Sequence, residues 1–145
     1  MWKIKKVFVV KRKNRTFLPG LWEFGCAKAN IEENLCDSIK KDYKNDFGID
    51  IEIVCDKSRN DKEPNPIALY QIDKAEKLQK GVIVVAKIVA GTEDIQSVID
   101  EKRKHEKFRW LSKEDISSFN EDAINDFKNT LEKVFTRWDE YFKEE

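Results

Sequence analysis

Short apolar runs alternate with polar stretches along this chain, at two distinct periods. Val7-Phe8-Val9-Val10 centres a strand predicted over Ile4–Arg12. Asn14 and Arg15 turn the chain, Leu18-Pro19-Gly20 is a second turn signal, and Leu21–Phe24 is a short extended piece. A helix is predicted over Glu32–Phe47, with Gly48 as its C-terminal cap. Ile49–Val54 alternates like a half-buried strand, and Asp56–Pro66 reads as a charged loop. Ile67–Ile72 and Val82–Val89 are two further strands, joined by Lys74–Gly81 as a long polar hairpin. Thr92–Arg103 fits a loop and a short helix equally, and Phe108–Leu111 is a short strand. Ser112 with Asp115 is a helix-capping signal, and Asn120 is placed to cap a last helix reaching Phe142. In that helix Ile124, Phe127, Leu131, Val134, Phe135, Trp138 and Phe142 form an apolar stripe suited to core packing. The order of elements predicts an α/β or α+β sandwich, a mixed sheet between helices. Residues 1–145 read as one domain with a long C-terminal helix from about residue 120.

Composition narrows the chemistry. Hydrophobic residues make up 40% of the 145, enough for one core, and charged residues 39%. The 28 basic and 28 acidic residues cancel and are interspersed, so net charge points to neither nucleic acid nor a membrane as partner. The apolar runs are strand-sized, far short of the roughly 20 residues of a membrane span, and a cytoplasmic location is expected. Cys26, Cys36 and Cys55 are odd in number and lack paired metal-ligand spacing, so they read as buried or half-buried thiols. His105 stands alone, which excludes zinc sites needing two imidazoles. Any metal must be held mainly by carboxylates, which points to Mg²⁺ or Mn²⁺.

Those carboxylates have a candidate position. At about 100° per residue, with Leu35 at zero, Ile39 falls near 40° and Tyr43 near 80°. Asp46 then falls near about 20° and Asp42 near about −20°, in line with the apolar stripe and one turn apart. Charges on a core-facing stripe are costly unless paired or metal-bound, and with Asn45 these oxygens can converge on one cation. The alternative is a helix end that has reached solvent, since Phe47 and Gly48 close the helix here.

Leu21-Trp22-Glu23-Phe24-Gly25-Cys26-Ala27-Lys28 runs directly into this helix. Together they resemble the Nudix family, whose box reads G-x5-E-x7-R-E-U-x-E-E-x-G-U, often after L-W-E-F-P-G-G-K. Glu33 matches the isolated Glu, Lys41 and Asp42 stand for Arg-Glu, and Tyr43 takes the first bulky position. Asn45 and Asp46 stand for Glu-Glu, and Gly48 and Ile49 close the box. Ala27 and Asn45 depart from it, and Gly25 stands where Pro is usual, leaving a less rigid loop. Glu106-Lys107-Phe108-Arg109-Trp110-Leu111-Ser112 resembles the family's stretch before its second helix.

The resemblance implies a Nudix-like α/β/α sandwich that cleaves a nucleoside diphosphate linked to another moiety. Water attacks phosphorus while Mg²⁺ or Mn²⁺ neutralises phosphate charge. It makes Asp42, Asp46 and Glu106 the catalytic carboxylates, and Asp42, Asn45, Asp46 and Glu106 (or Glu101) the metal ligands. Arg12 and Arg15 would reach the phosphates, or are solvated turn residues. Trp22 would stack on the base, with core packing as its other role, as for Phe24 and Trp110. Glu33, Lys41 and Gly48 would brace the box, Glu33 pairing with Lys41. The partner implied is a small nucleotide substrate. A catalytically inactive Nudix-like module that binds nucleotide or protein is the competing expectation. Few residues precede the first strand, so one sheet edge is expected to be covered by the C-terminal helix or by a second copy, a homodimer.

Overall fold

The computed structural model describes residues 5–13, 19–25, 34–54, 66–74 and 77–142, with only the backbone described over 66–82. Its elements are β1 (Val7–Arg12), β2 (Trp22–Glu23), α1 (Leu35–Phe47), β3 (Asp50–Ile53), β4 (Pro66–Lys74) and β5 (Lys77–Val84). These are followed by β6 (Ala86–Ala90), α2 (Ile95–Lys102), β7 (His105–Leu111), α3 (Lys113–Ser118), α4 (Phe127–Thr136) and α5 (Trp138–Tyr141). Among the described residues the strands form a three-stranded sheet in the order β2-β1-β7 and two antiparallel pairs, β3-β6 and β4-β5.

Alternation along β1 sends its side chains into two cores. Phe8 and Val10 join Phe47 of α1, Ile49, Ile51 of β3, and Ile95 and Ile99 of α2. Val9 joins Trp22, Leu111, Ile116 of α3, Phe119, and Phe127 and Leu131 of α4. The sheet is thus packed between α1 and α2 on one face and α3 and α4 on the other. This is the α+β sandwich the sequence predicts, with its named strand pairs antiparallel where a mixed sheet is expected.

Several boundaries differ from expectation. Helix α1 begins at Leu35, later than Glu32, because Asn34 is extended and its Oδ1 accepts from the amides of Cys36 (2.9 Å) and Asp37 (3.3 Å). The polar stretch 74–81 is largely strand: β4 and β5 pair in register from Pro66↔Val84 to Lys74↔Lys77. The stretch 82–89 is split, with β6 pairing to β3 instead. Thr92–Arg103 contains the helix α2.

The last helix starts at Phe127, not near Asn120. The intervening chain is needed elsewhere. The Trp22 amide donates to the Asp122 carbonyl (3.0 Å), the Ile124 amide donates to the Trp22 carbonyl (3.1 Å), and Ala123 bridges Trp22 in parallel. Backbone committed to that pairing cannot also be helical. The helix is also interrupted at Arg137, before α5. The edge of β2 at Trp22 is therefore closed by this segment of the same chain, and that edge gives no reason for a second copy.

Candidate functional site

Gly48 ends α1 in the left-handed region at φ 74°, its amide donating to the Lys44 carbonyl at 2.9 Å, as its place in the box requires. Gly25 is explained by geometry rather than by looseness. Its φ is +94°, which proline cannot adopt, and a Cβ there would lie 2.7 Å from the Tyr43 ring. Tyr43 lies over this turn and donates its hydroxyl hydrogen to the Phe24 carbonyl. Burial first, then the charges of Glu23 and Asp46, hold the Tyr43 hydroxyl above its ordinary pKa.

The C-terminal half of α1 faces the turn between α2 and β7. Asp46 is buried, and its Oδ1 accepts from Lys104 Nζ at 3.0 Å. Asn45 is exposed, and its Oδ1 accepts from Lys102 Nζ at 3.1 Å. Asp42 is half-buried one turn before Asp46. Glu106 is half-exposed at a register shift of β7 against β1, paired with Lys11 Nζ at 3.7 Å. Glu101 is exposed on α2, and Lys41 is exposed on α1. Glu33 and Arg15, with Cys26 and Cys55, lie outside the described residues, and so does the expected Glu33–Lys41 pair.

These donors do not fit a dication as they stand. A cation would draw on the oxygens of Asn45 and Asp46, and lysine ammonium groups already hold Oδ1 of each. Glu106 is likewise engaged by Lys11. Among the described residues no group of three His, Cys, Asp or Glu is close enough to share an ion.

Trp22 presents no surface on which a base could stack. It is fully buried in the second core, with Lys107 Nζ and Arg109 Cζ each 5.7 Å from its ring centroid. Phe24 is stacked on Phe127 at 4.8 Å, and Trp110 is packed on Phe8. Core packing is the role the structure gives all three.

Two participants escaped the sequence reading. Glu23 is buried, and its Oε1 lies 2.7 Å from His105 Nε2 and accepts from Arg12 Nη1 at 3.1 Å. Arg12 is thereby anchored from below. In the sequence Glu23 is one position of the Leu-Trp-Glu-Phe lead-in and His105 is a lone imidazole, and neither points to the other. The usable signal was a charged residue flanked by Trp22 and Phe24 in a strand, where burial demands a partner. Open depressions of about 330 Å³ and 550 Å³ lie along α4, among residues such as Asp126 and Asn129 and away from α1.

No family model matches the chain, and no curated protein matches it. Solved structures do. A MutT Nudix hydrolase from Burkholderia pseudomallei superposes with a TM-score of 0.62 at 14% identity, over 89% of this chain and 88% of that one. A MutT protein from Methanosarcina mazei Go1 superposes with a TM-score of 0.58 at 17% identity, over 90% of this chain and 83% of that one. At these identities the likeness speaks of architecture, and it agrees with the box-like sequence on α1. The chain has the Nudix fold.

Proposed function

We propose that this chain binds a nucleoside diphosphate linked to another moiety, on the surface formed by the C-terminal half of α1 and the α2–β7 turn, as a binding domain rather than a hydrolase. One observation carries the choice: the box oxygens of Asn45 and Asp46 are held by Lys102 and Lys104. Lysines in those places attract phosphate but leave no room for a shared dication. Arg12, fixed by Glu23, and Arg15 are the further phosphate contacts in this reading.

A second reading is hydrolysis with Mg²⁺ or Mn²⁺, using Asp42, Asp46 and Glu106 as catalytic carboxylates and Asn45 as a neutral ligand. It is favoured by Asp42 and Asp46 lying one turn apart on α1, half-buried and buried respectively. It requires Lys104 to leave Asp46. No helix among the described residues is long and apolar enough to cross a membrane.

The test is calorimetric binding of a panel of nucleoside diphosphate derivatives, alongside product release with Mg²⁺ or Mn²⁺. Binding with release at background supports the proposal. Metal-dependent turnover overturns it in favour of hydrolysis, and the absence of any nucleotide binding overturns both readings.

A further inference from the structure

The sequence contains Lys-Arg-Lys twice, at 11–13 and at 102–104. The fold lays the two triplets side by side. Arg12 is the register partner of His105, and the Lys13 amide donates to the Lys104 carbonyl at 3.2 Å. Six cationic residues therefore meet at one corner of the sheet, above the end of α1.

Two acids of this corner lie beneath the cations, and a third, the half-exposed Glu106, pairs with Lys11. The Asp46 and Glu23 side chains are each 8% exposed, whereas that of Lys104 is 58% exposed. If every cation served one acid, the cluster would be a structural salt-bridge network. It is not balanced in that way. Lys102 meets a neutral amide, and the exposed Arg103 side chain has no hydrogen bond or ion pair among the described residues. Arg103 is also left-handed, at φ 60°, in the helix-capping position that normally takes glycine or asparagine. Backbone strain is thus carried by a residue whose planar guanidinium matches two phosphate oxygens at once.

We propose that the two triplets form a metal-independent seat for a diphosphate group. Lys102 and Lys104 occupy the places on Asn45 and Asp46 that a dication would take, and Arg103 closes over the phosphate oxygens. The inference rests on the nucleotide-binding reading above and names how that same surface holds its ligand. The sequence also sets the scale of the ligand. Glu101 and Glu106 bracket the second triplet and interrupt the positive charge on either side of it, which suits a compact anion better than a long polyanion.

The test uses the whole chain with two probes, ADP and inorganic pyrophosphate, titrated in EDTA and again in MgCl₂. Both should bind in EDTA. Arg103→Gly and Lys102→Met should each weaken that binding roughly tenfold or more. Glycine suits φ 60° better than arginine, so the thermal midpoint of Arg103→Gly should not fall, and lost affinity is then not lost folding. Binding that needs Mg²⁺ and ignores Arg103→Gly overturns the seat and leaves the nucleotide reading standing. Pyrophosphate binding in EDTA that is lost in Arg103→Gly, with no binding of ADP, supports the seat and overturns the nucleotide reading. No binding of either probe in either buffer overturns both. A single-stranded oligonucleotide binding about a hundredfold tighter than ADP overturns the compact-anion assignment in favour of nucleic acid.

Discussion

Lys104→Met perturbs the proposed binding surface most sharply, because the two halves of its 3.0 Å pair with Asp46 are unequal. The carboxylate side chain is 8% exposed and the lysine 58% exposed. Removing the lysine strands a buried charge, whereas removing the carboxylate leaves an ammonium that water can solvate. A hydrogen bond to a charged group contributes about 1.5–3 kcal/mol. Discounted for the exposure of the lysine, the loss in Lys104→Met is about 1–2 kcal/mol. Asp46→Asn keeps the shape and one acceptor oxygen, and should cost less than about 1 kcal/mol. In a chain of this size 1 kcal/mol corresponds to a shift of about 3–5 °C in the thermal midpoint. Thermal and urea denaturation at pH 7 of the wild type, both single variants and the double variant close the cycle. Lys104→Met should fall by several degrees, Asp46→Asn should fall less, and the double variant should lie near Asp46→Asn, a coupling of about 1–2 kcal/mol. Equal single losses that simply add in the double variant would refute the reasoning, since Asp46 would then be held by something other than Lys104.

Tyr43→Phe removes the donation to the Phe24 carbonyl and should cost about 1 kcal/mol in urea denaturation at pH 7. Because folding holds the Tyr43 hydroxyl above its ordinary pKa, its contribution is present below pH 10 and is lost as pH rises through the folded value. Wild type should therefore lose stability above about pH 10 more steeply than Tyr43→Phe, and parallel profiles would contradict this. The Ser112 amide, then the Ser112 hydroxyl, hold Asp115 below the usual carboxylate range. The advantage of wild type over Asp115→Asn should be present at pH 7 and disappear as pH falls through the folded value, and an advantage that persists in acid would exclude the capping role. Asn45→Glu places a carboxylate against Lys102 at an exposed position, worth about 0.5 kcal/mol or less. Titrated Mn²⁺ should still fail to bind Asn45→Glu, and binding restored by that change alone would show that the lysines do not occupy the box.

What could be read from the sequence was what periodicity and capping encode. The apolar run at 7–10, the glycine after Phe47 and the Ser112–Asp115 pair each impose a local geometry, and each has it in the structure. The start of the last helix was not legible, because Asn120 is a good cap and only the distant Trp22 explains why the chain stays extended to Ile124. The carboxylates on α1 were legible by helical spacing, but their partners were not. Lys102 and Lys104 lie more than fifty residues away and reach α1 through a turn that the sequence left open between loop and helix. The charge between Trp22 and Phe24 signals that Glu23 needs a partner, but not that His105, 82 residues away, supplies it.

The pairing of β1 with β7 has a consequence for the time course of folding. Val7 pairs with Leu111, so the central strand must wait for more than a hundred residues to be made before its partner exists. At synthesis rates of about 5–20 residues per second, that is roughly 5–20 s during which the Val7–Val10 run emerges without its neighbour. Neither the short β2 nor α1 can cover both faces of that strand, because one face is completed by α3 and α4, which follow β7. The nascent chain is therefore a natural client for chaperones that bind extended apolar segments. Its yield in a cell should depend more on holdase capacity during translation than on the stability of the finished domain.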